Sequence, residues 1–353
     1  MVLDPGCRIH WRPTGLVSGP EAELLVGRGE ALPLIGGPLA FTAVERIVWD
    51  GSAEPARKLR PLVELPAEVA TALTGRRPAP FDRPRLMGIL NVTPDSFSDG
   101  GSDADAEAAV ARGLAMAAEG ADIVDVGGES TRPGAGEVPV EVELARVLPV
   151  VERLATVGVT VSIDSRKAKV MRAAVKAGAR MVNDVSGLTH DPEAPAAAAE
   201  AARAGAWVVL MHMRGVPATM NEAPDYRCAI LEVCEELALR VDRAVAAGVP
   251  RQRIVLDPGL CFAKHEPHNL EILRQLALLH GQGCPLLVGV SRKGWAAWVH
   301  REHAPAERLP ASLAAAQWSL DRGATVLRVH DVAASRQMLR SWETLAGLPT
   351  DRP

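Results

Sequence analysis

Residues 161–184 read VSIDSRKAKVMRAAVKAGARMVND. An apolar run, Val161-Ser162-Ile163, ends in Asp164. A helix-like stretch follows and closes at Gly178. A second apolar run, Met181-Val182, then ends in Asn183 and Asp184. Short apolar runs of this kind read as strands buried on both faces, which is what parallel sheets contain. Glycine just before the next strand tolerates the left-handed turn that ends a helix. The segment is therefore one strand–helix–strand unit.

The same order recurs on both sides of it. Met87-Gly88-Ile89-Leu90 ends at Asn91, and Ile123-Val124 leads to Asp125, Gly127 and Glu129. Trp207–Met211 ends at His212, Ile254–Leu256 at Asp257, Leu286–Val290 at Ser291, and Val326–Val329 at His330. Gly120, Gly158, Gly205, Gly248 and Gly323 precede strands as Gly178 does, and Asp103 and Asp105 are placed to cap the first helix. A doubly wound sheet would also alternate β with α. The count of eight predicts an α/β chain closed into a (β/α)8 barrel of the TIM type over residues 85–345, close to the usual span of about 250 residues. In such a barrel the C-terminal strand ends converge on one mouth, so the polar residues that end the runs share a pocket.

The chain has 353 residues, 48% of them hydrophobic, and a net charge of -4 with both signs dispersed. That composition supports a sizeable core and suggests no general nucleic-acid or membrane surface. Cys7, Cys228, Cys234, Cys261 and Cys284 are odd in number and form no CxxC pair, so neither a disulfide framework nor a zinc site is indicated. No basic start leads into an apolar core, and no run approaches the 18 or so apolar residues of a membrane span. A cytoplasmic protein is the expectation. Residues 1–84 form a small N-terminal extension of different character, with a strand-like patch at Phe41–Trp49 and a helix from Pro66 to Leu73. The Pro- and Arg-rich stretch 74–84 reads as a linker to the barrel, and residues 346–353 as a C-terminal tail.

Chemistry gathers in the loops after the strands. Asn91–Gly101 carries hydroxyls, a proline and two glycines, and is long for a βα loop. Such a loop suits closing over an anion. Asp125–Ala135 brings Thr131 and Arg132, the latter a planar fork for phosphate or carboxylate. Asp164, Asn183, Asp257 and Lys293 stand at strand ends. They could ligate a metal, exchange protons, or hydrogen-bond a flat heterocycle with mixed donors and acceptors. Ser291–Gly294 stands where a strand should become a helix, with amides free for an anion. Arg328 and His330, two apart on a strand, should point to one face and form a second cationic site at the mouth.

These motifs, with Ser162–Ser165, Val182–Val185, Met211-His212-Met213, Asp257-Pro258-Gly259 and Ser291-Arg292-Lys293, resemble the dihydropteroate synthase family in unbroken order over about residues 85–345. The resemblance implies a transferase of folate biosynthesis. It joins 7,8-dihydropterin-6-ylmethyl diphosphate to 4-aminobenzoate, giving 7,8-dihydropteroate and diphosphate. It implies that Asp164, Asn183, Asp257 and Lys293 hold the pterin. Asn91, Arg328 and His330 would hold the diphosphate, with Mg²⁺ beside Asn91. Thr131, Pro133, Phe262 and the Ser291–Gly294 turn would form the aminobenzoate site. Asn91, Thr131, Arg132, Lys293, Arg328 and His330 are then the catalytic set, in a homodimer that sulfonamides target. The family's Phe-Gly-Phe-Gly-Lys run appears as Leu260-Cys261-Phe262-Ala263-Lys264, Gly294 stands where a hydroxyl residue is common, and Ser165 replaces a commoner threonine. These departures bear on the shape of the aminobenzoate site. A methyltetrahydrofolate-binding methyltransferase would need a cobalamin partner and no diphosphate clamp, which Arg132, Ser291–Lys293 and Arg328–His330 argue against. A catalytically silent paralogue is opposed by the intact set of site residues.

Overall fold

The computed structural model describes residues 7–93, 103–130, 136–216, 219–220, 225–295 and 303–348. Four strands precede the barrel: β1 (Arg8–Ser18), β2 (Leu32–Pro33), β3 (Leu39–Trp49) and β4 (Ala56–Arg60). The central strand is β3. It pairs antiparallel with β1 along one edge, from Arg8 opposite Trp49 to Ser18 opposite Leu39, and with β2 and β4 along the other. Phe41, Val44, Ile47 and Trp49 of β3 are buried. Helix α1 (Gly19–Gly27) follows β1, and α2 (Ala67–Thr74) stands where a helix was expected. The unit leans on the outside of the barrel. Arg8 and His10 pair with Glu235, and the Arg57 guanidinium donates to Gln275 Oε1 at 2.6 Å.

All eight apolar runs form strands: β5 (Arg85–Asn91), β6 (Ile123–Gly127), β7 (Val161–Asp164), β8 (Met181–Asp184), β9 (Trp207–Met211), β10 (Ile254–Asp257), β11 (Leu287–Val288) and β12 (Val326–Val329). They pair in parallel in the order β10-β9-β8-β7-β6-β5-β12-β11. An isolated parallel bridge between Leu256 and Leu286 joins the two ends, with the Leu256 N–H donating to Pro285 O at 2.9 Å. The sheet is thus a closed (β/α)8 barrel. A helix follows each strand: α3 (Asp103–Ala118), α4 (Val140–Thr156), α5 (Ala168–Lys176), α6 (Ala194–Arg203), α7 (Ala229–Ala246), α8 (Glu266–Arg274), α9 (Leu309–Leu320) and α10 (Val332–Leu345). The glycines expected to close helices, Gly120, Gly158, Gly178, Gly205, Gly248 and Gly323, have φ between +84° and +113°. No helix among the described residues is long and apolar enough to cross a membrane.

The stretch 74–84 is no loose tether. Its composition predicts solvent exposure, yet Arg77 and Phe81 are buried. The Arg77 guanidinium donates to the carbonyls of Ala72, Gly75 and His280. Phe81 packs with Met87, Ile123, Met181, Trp207 and Val326 at the strand starts, and so stoppers the N-terminal end of the barrel. Its ring meets Trp207 edge-on, with centroids 4.6 Å apart and planes at 80°.

Candidate active site

Strand periodicity turns that apolar floor into a polar ceiling. Ile123, Met181, Val255 and Val326 belong to the cluster around Phe81. The side chain two residues further along a strand points the same way, which gives Asp125, Asn183, Asp257 and Arg328. Asp164 ends β7, beside Asn183 on β8 and Gly127 on β6. Five of the eight strands, β6, β7, β8, β10 and β12, therefore deliver three carboxylates, an amide and a guanidinium to the mouth.

These groups bind one another. Asn183 Nδ2 donates to Asp125 Oδ2 at 2.9 Å. Arg328 Nε donates to the same oxygen at 2.7 Å, and its Nη2 to Asp164 Oδ2 at 2.7 Å. Asp257 accepts the Gly259 N–H at 2.7 Å. Asp125 is 1% exposed, and its Oδ1 has no hydrogen-bond partner. A buried, unsatisfied carboxylate oxygen is costly unless a ligand completes it. Burial and the nearby Asp125 charge push Asp164 above the usual carboxylate range, against the pull of Arg328. Burial raises Asp257, and the Lys293 ammonium opposes it. Burial lowers Lys293. Arg328 is held above its ordinary value despite burial, because Asp125 and Asp164 flank it.

Lys293 Nζ reaches from the other side, donating to Leu260 O at 2.9 Å and lying 4.7 Å from the Phe262 ring centroid. The residues assigned to the pterin and to aminobenzoate thus meet at Lys293. Asn91 ends β5, its Oδ1 within 3.8 Å of where a side chain on Gly127 would begin. Ser291 Oγ lies 3.1 Å from both the backbone nitrogen and Nδ1 of His330. Gly294 faces Arg308.

Two expectations need correction. Arg328 and His330 do not form a second cationic site at the mouth. Strand β12 ends at Val329, so the alternation stops before His330. Arg328 turns inward to two carboxylates. Burial and the charges of Arg292 and Arg328 lower His330 to about 4, so it is neutral near pH 7. Nor are all of the 291–294 amides free. Ser291–Gly294 is a turn, with Arg292 at φ +58°. The Arg292 N–H donates to Ser312 Oγ at 2.9 Å and the Lys293 N–H to Val290 O at 3.4 Å. Thr131, Arg132, Pro133 and the loop 94–102 lie outside the described residues.

Sequence reasoning placed Asp125 at a strand end but gave it no role. It also passed over the support beneath the site. Lys264, buried, donates to His212 Nδ1 at 2.8 Å, and His212 Nε2 lies 2.9 Å from Glu236 Oε2. Burial and Lys264 lower His212 to about 3, so the neutral ring accepts from Lys264 and donates to Glu236. On the opposite side Glu129 accepts from Arg166 Nη2 at 2.9 Å and from the Val138 N–H at 2.8 Å, so it ties together the two ends of segment 130–137.

A family pattern described as pterin binding enzyme matches residues 87–330. A dihydropteroate synthase of Escherichia coli K12 is 45% identical over 261 residues, 74% of this chain and 91% of that protein. A probable bifunctional folylpolyglutamate synthase/dihydropteroate synthase of Haloferax volcanii is 47% identical over 251 residues, 71% of this chain but 29% of that longer protein. The Xanthomonas albilineans dihydropteroate synthase, solved with 4-aminobenzoic acid, is 47% identical with a TM-score of 0.70, covering 76% of this chain and 95% of that one. It has also been solved in complex with 7,8-dihydropteroate.

Proposed function

The chain belongs to the dihydropteroate synthase family of pterin-binding enzymes, and from that premise we propose how its residues divide the work. The reaction joins 7,8-dihydropterin-6-ylmethyl diphosphate to 4-aminobenzoate and releases diphosphate. One observation carries the assignment of roles: Asp125, Asp164, Asn183 and Arg328 form a single buried hydrogen-bonded set, beside Asp257 and Lys293, above an apolar floor.

The pterin ring lies across Asp164, Asn183, Asp257 and Lys293, whose mixture of donors and acceptors suits its amino and carbonyl edges. The deep site holds three carboxylates against two cations. It therefore favours positive charge, and the positive charge that develops at the pterin methylene as its C–O bond breaks is stabilised there. Asp125 and Asp164 occupy Nε and Nη2 of Arg328, which leaves Nη1 to face the departing diphosphate. His330 meets the same group as a neutral hydrogen-bond donor, with Ser291 orienting the ring. Thr131, Arg132 and Pro133 complete the site from segment 131–135. Phe262, Ser291 and Gly294 border the aminobenzoate, whose aryl amine is already nucleophilic, so no strong base is required.

Magnesium fits this donor set. Mg²⁺ keeps several waters and takes few protein oxygens beside substrate phosphates. Asn91 offers one such oxygen, and no group of three His, Cys, Asp or Glu among the described residues competes as a cage. When bound, the ion would neutralise charge on the leaving diphosphate. A homodimer and competition by sulfonamides at the aminobenzoate site belong to the same proposal. The test is product formation from the two substrates with Mg²⁺, repeated with chelator. Turnover that ignores Mg²⁺ would remove the metal from the scheme, and wild-type turnover in Asp164→Ala would remove the buried set from it.

A further inference from the structure

We propose that Lys264 is a positioning residue for the aminobenzoate half of the reaction, holding the 259–264 turn in a shape that its own sequence disfavours. The inference rests on the placement of aminobenzoate against Phe262. The turn enters the left-handed region three times within five residues: Gly259 at φ +64°, Cys261 at +64° and Ala263 at +48°. Only the first is glycine. For the other two a β-carbon crowds the following carbonyl oxygen, and single residues of this kind persist only where their surroundings over-determine them. At Gly259 only glycine fits, since a β-carbon there would come within 1.9 Å of His212 O.

Lys264 supplies the missing constraint. Its nitrogen lies 3.0 Å from Gly259 O, 3.0 Å from Phe262 O, 3.2 Å from His212 O and 2.8 Å from His212 Nδ1. One atom thus ties two residues of the turn to each other and to the residue after β9. His212 is oriented in turn by Glu236. A second tie comes from Asn269, whose Oδ1 accepts the Cys261 N–H at 2.8 Å and whose Nδ2 donates to Lys264 O at 3.2 Å. The turn presents the Leu260 carbonyl that receives Lys293 and the Phe262 ring beside it. Lys264 touches neither of these directly; it acts by setting where both stand.

The experiment is steady-state kinetics on the full chain carrying Lys264→Met. The expected result is a KM for 4-aminobenzoate raised about tenfold, a clearly smaller rise in the KM for the pterin diphosphate through the Leu260–Lys293 contact, and kcat within about threefold of wild type, the pattern of lost ground-state placement. Adding Cys261→Gly and Ala263→Gly to Lys264→Met should bring that KM most of the way back, because a glycine turn reaches the shape unaided. If Lys264→Met does not fold, Asn269→Ser cuts the second tie and should raise the same KM. An unchanged KM for aminobenzoate, an equal rise in both KM values, or no recovery by the glycines overturns the proposal. Phe262→Ala separates the two levels. If it leaves the aminobenzoate KM unchanged, the placement of that substrate fails and the proposal with it. If it raises KM where Lys264→Met does not, only the role of Lys264 falls.

Discussion

Asp125 sits where the site's hydrogen bonds cross, taking both Asn183 and Arg328 on one oxygen. Its charge also helps to raise Asp164. Removing a negative neighbour relieves that repulsion, so Asp125→Asn should lower the Asp164 pKa. If Asp164 sets the acid limb of kcat/KM, that limb moves to lower pH in the variant, and an unmoved limb would detach Asp164 from the profile. Asp257→Ala should weaken pterin binding by about 1.5–3 kcal/mol, the usual cost of losing a charged acceptor for buried donors. Calorimetry with a pterin ligand measures this, and wild-type affinity would take Asp257 out of the site. Residues at strand ends were legible because a parallel barrel sends them all to one mouth. Their individual duties were not. His330 lies one residue past the strand's alternation, and Lys264 acts largely through backbone carbonyls that no side-chain pattern reveals.

At the scale of elements, parallel strands buried on both faces announce themselves as apolar runs, and all eight were readable. Strand β1 was not. Its partner β3 lies beyond α1 and β2, and its charges, Arg8, His10 and Arg12, look like solvated surface. They are instead matched by Glu235 and Glu45. The segment 74–84 hides its role for the opposite reason: prolines and arginines surround Phe81, the side chain that closes the barrel floor. Phe81→Ala would open a void under the barrel floor and should cost about 3–5 kcal/mol. Chemical denaturation would show this as a lower midpoint. Turnover at 25 °C should persist, because the void lies at the end opposite Asp125 and Asp257. A loss of turnover in a still-folded variant would mean that the two ends are coupled.

For the whole molecule, the N-terminal unit is held to α7 partly by a titrating contact. Burial alone would lower His10, but Cys234 and the Glu235 carboxylate 3.1 Å away lift it from 6.5 to about 9. The stability it contributes is therefore complete below about pH 6.5 and is lost as pH rises through about 9. Melting temperatures of wild type and His10→Gln should differ at pH 6 and converge above about pH 9.5; a constant difference would mean that packing, not charge, holds the contact. Shortening the chain should separate two roles. A protein starting at Gly75 keeps Phe81 and should melt higher than one starting at Pro84, which leaves the barrel floor open; equal melting would deny Phe81 its part. The closure of the barrel has its own consequence. Strands β10 and β11 meet through an isolated bridge, and β11 is two residues long. That seam separates the strand of Asp257 from the one leading to Lys293. Where few backbone bonds cross, local opening is cheapest. In deuterated water, the Leu256 amide should therefore trade its proton sooner than those of β6 and β7, and a pterin held between Asp257 and Lys293, as proposed, should slow that trade.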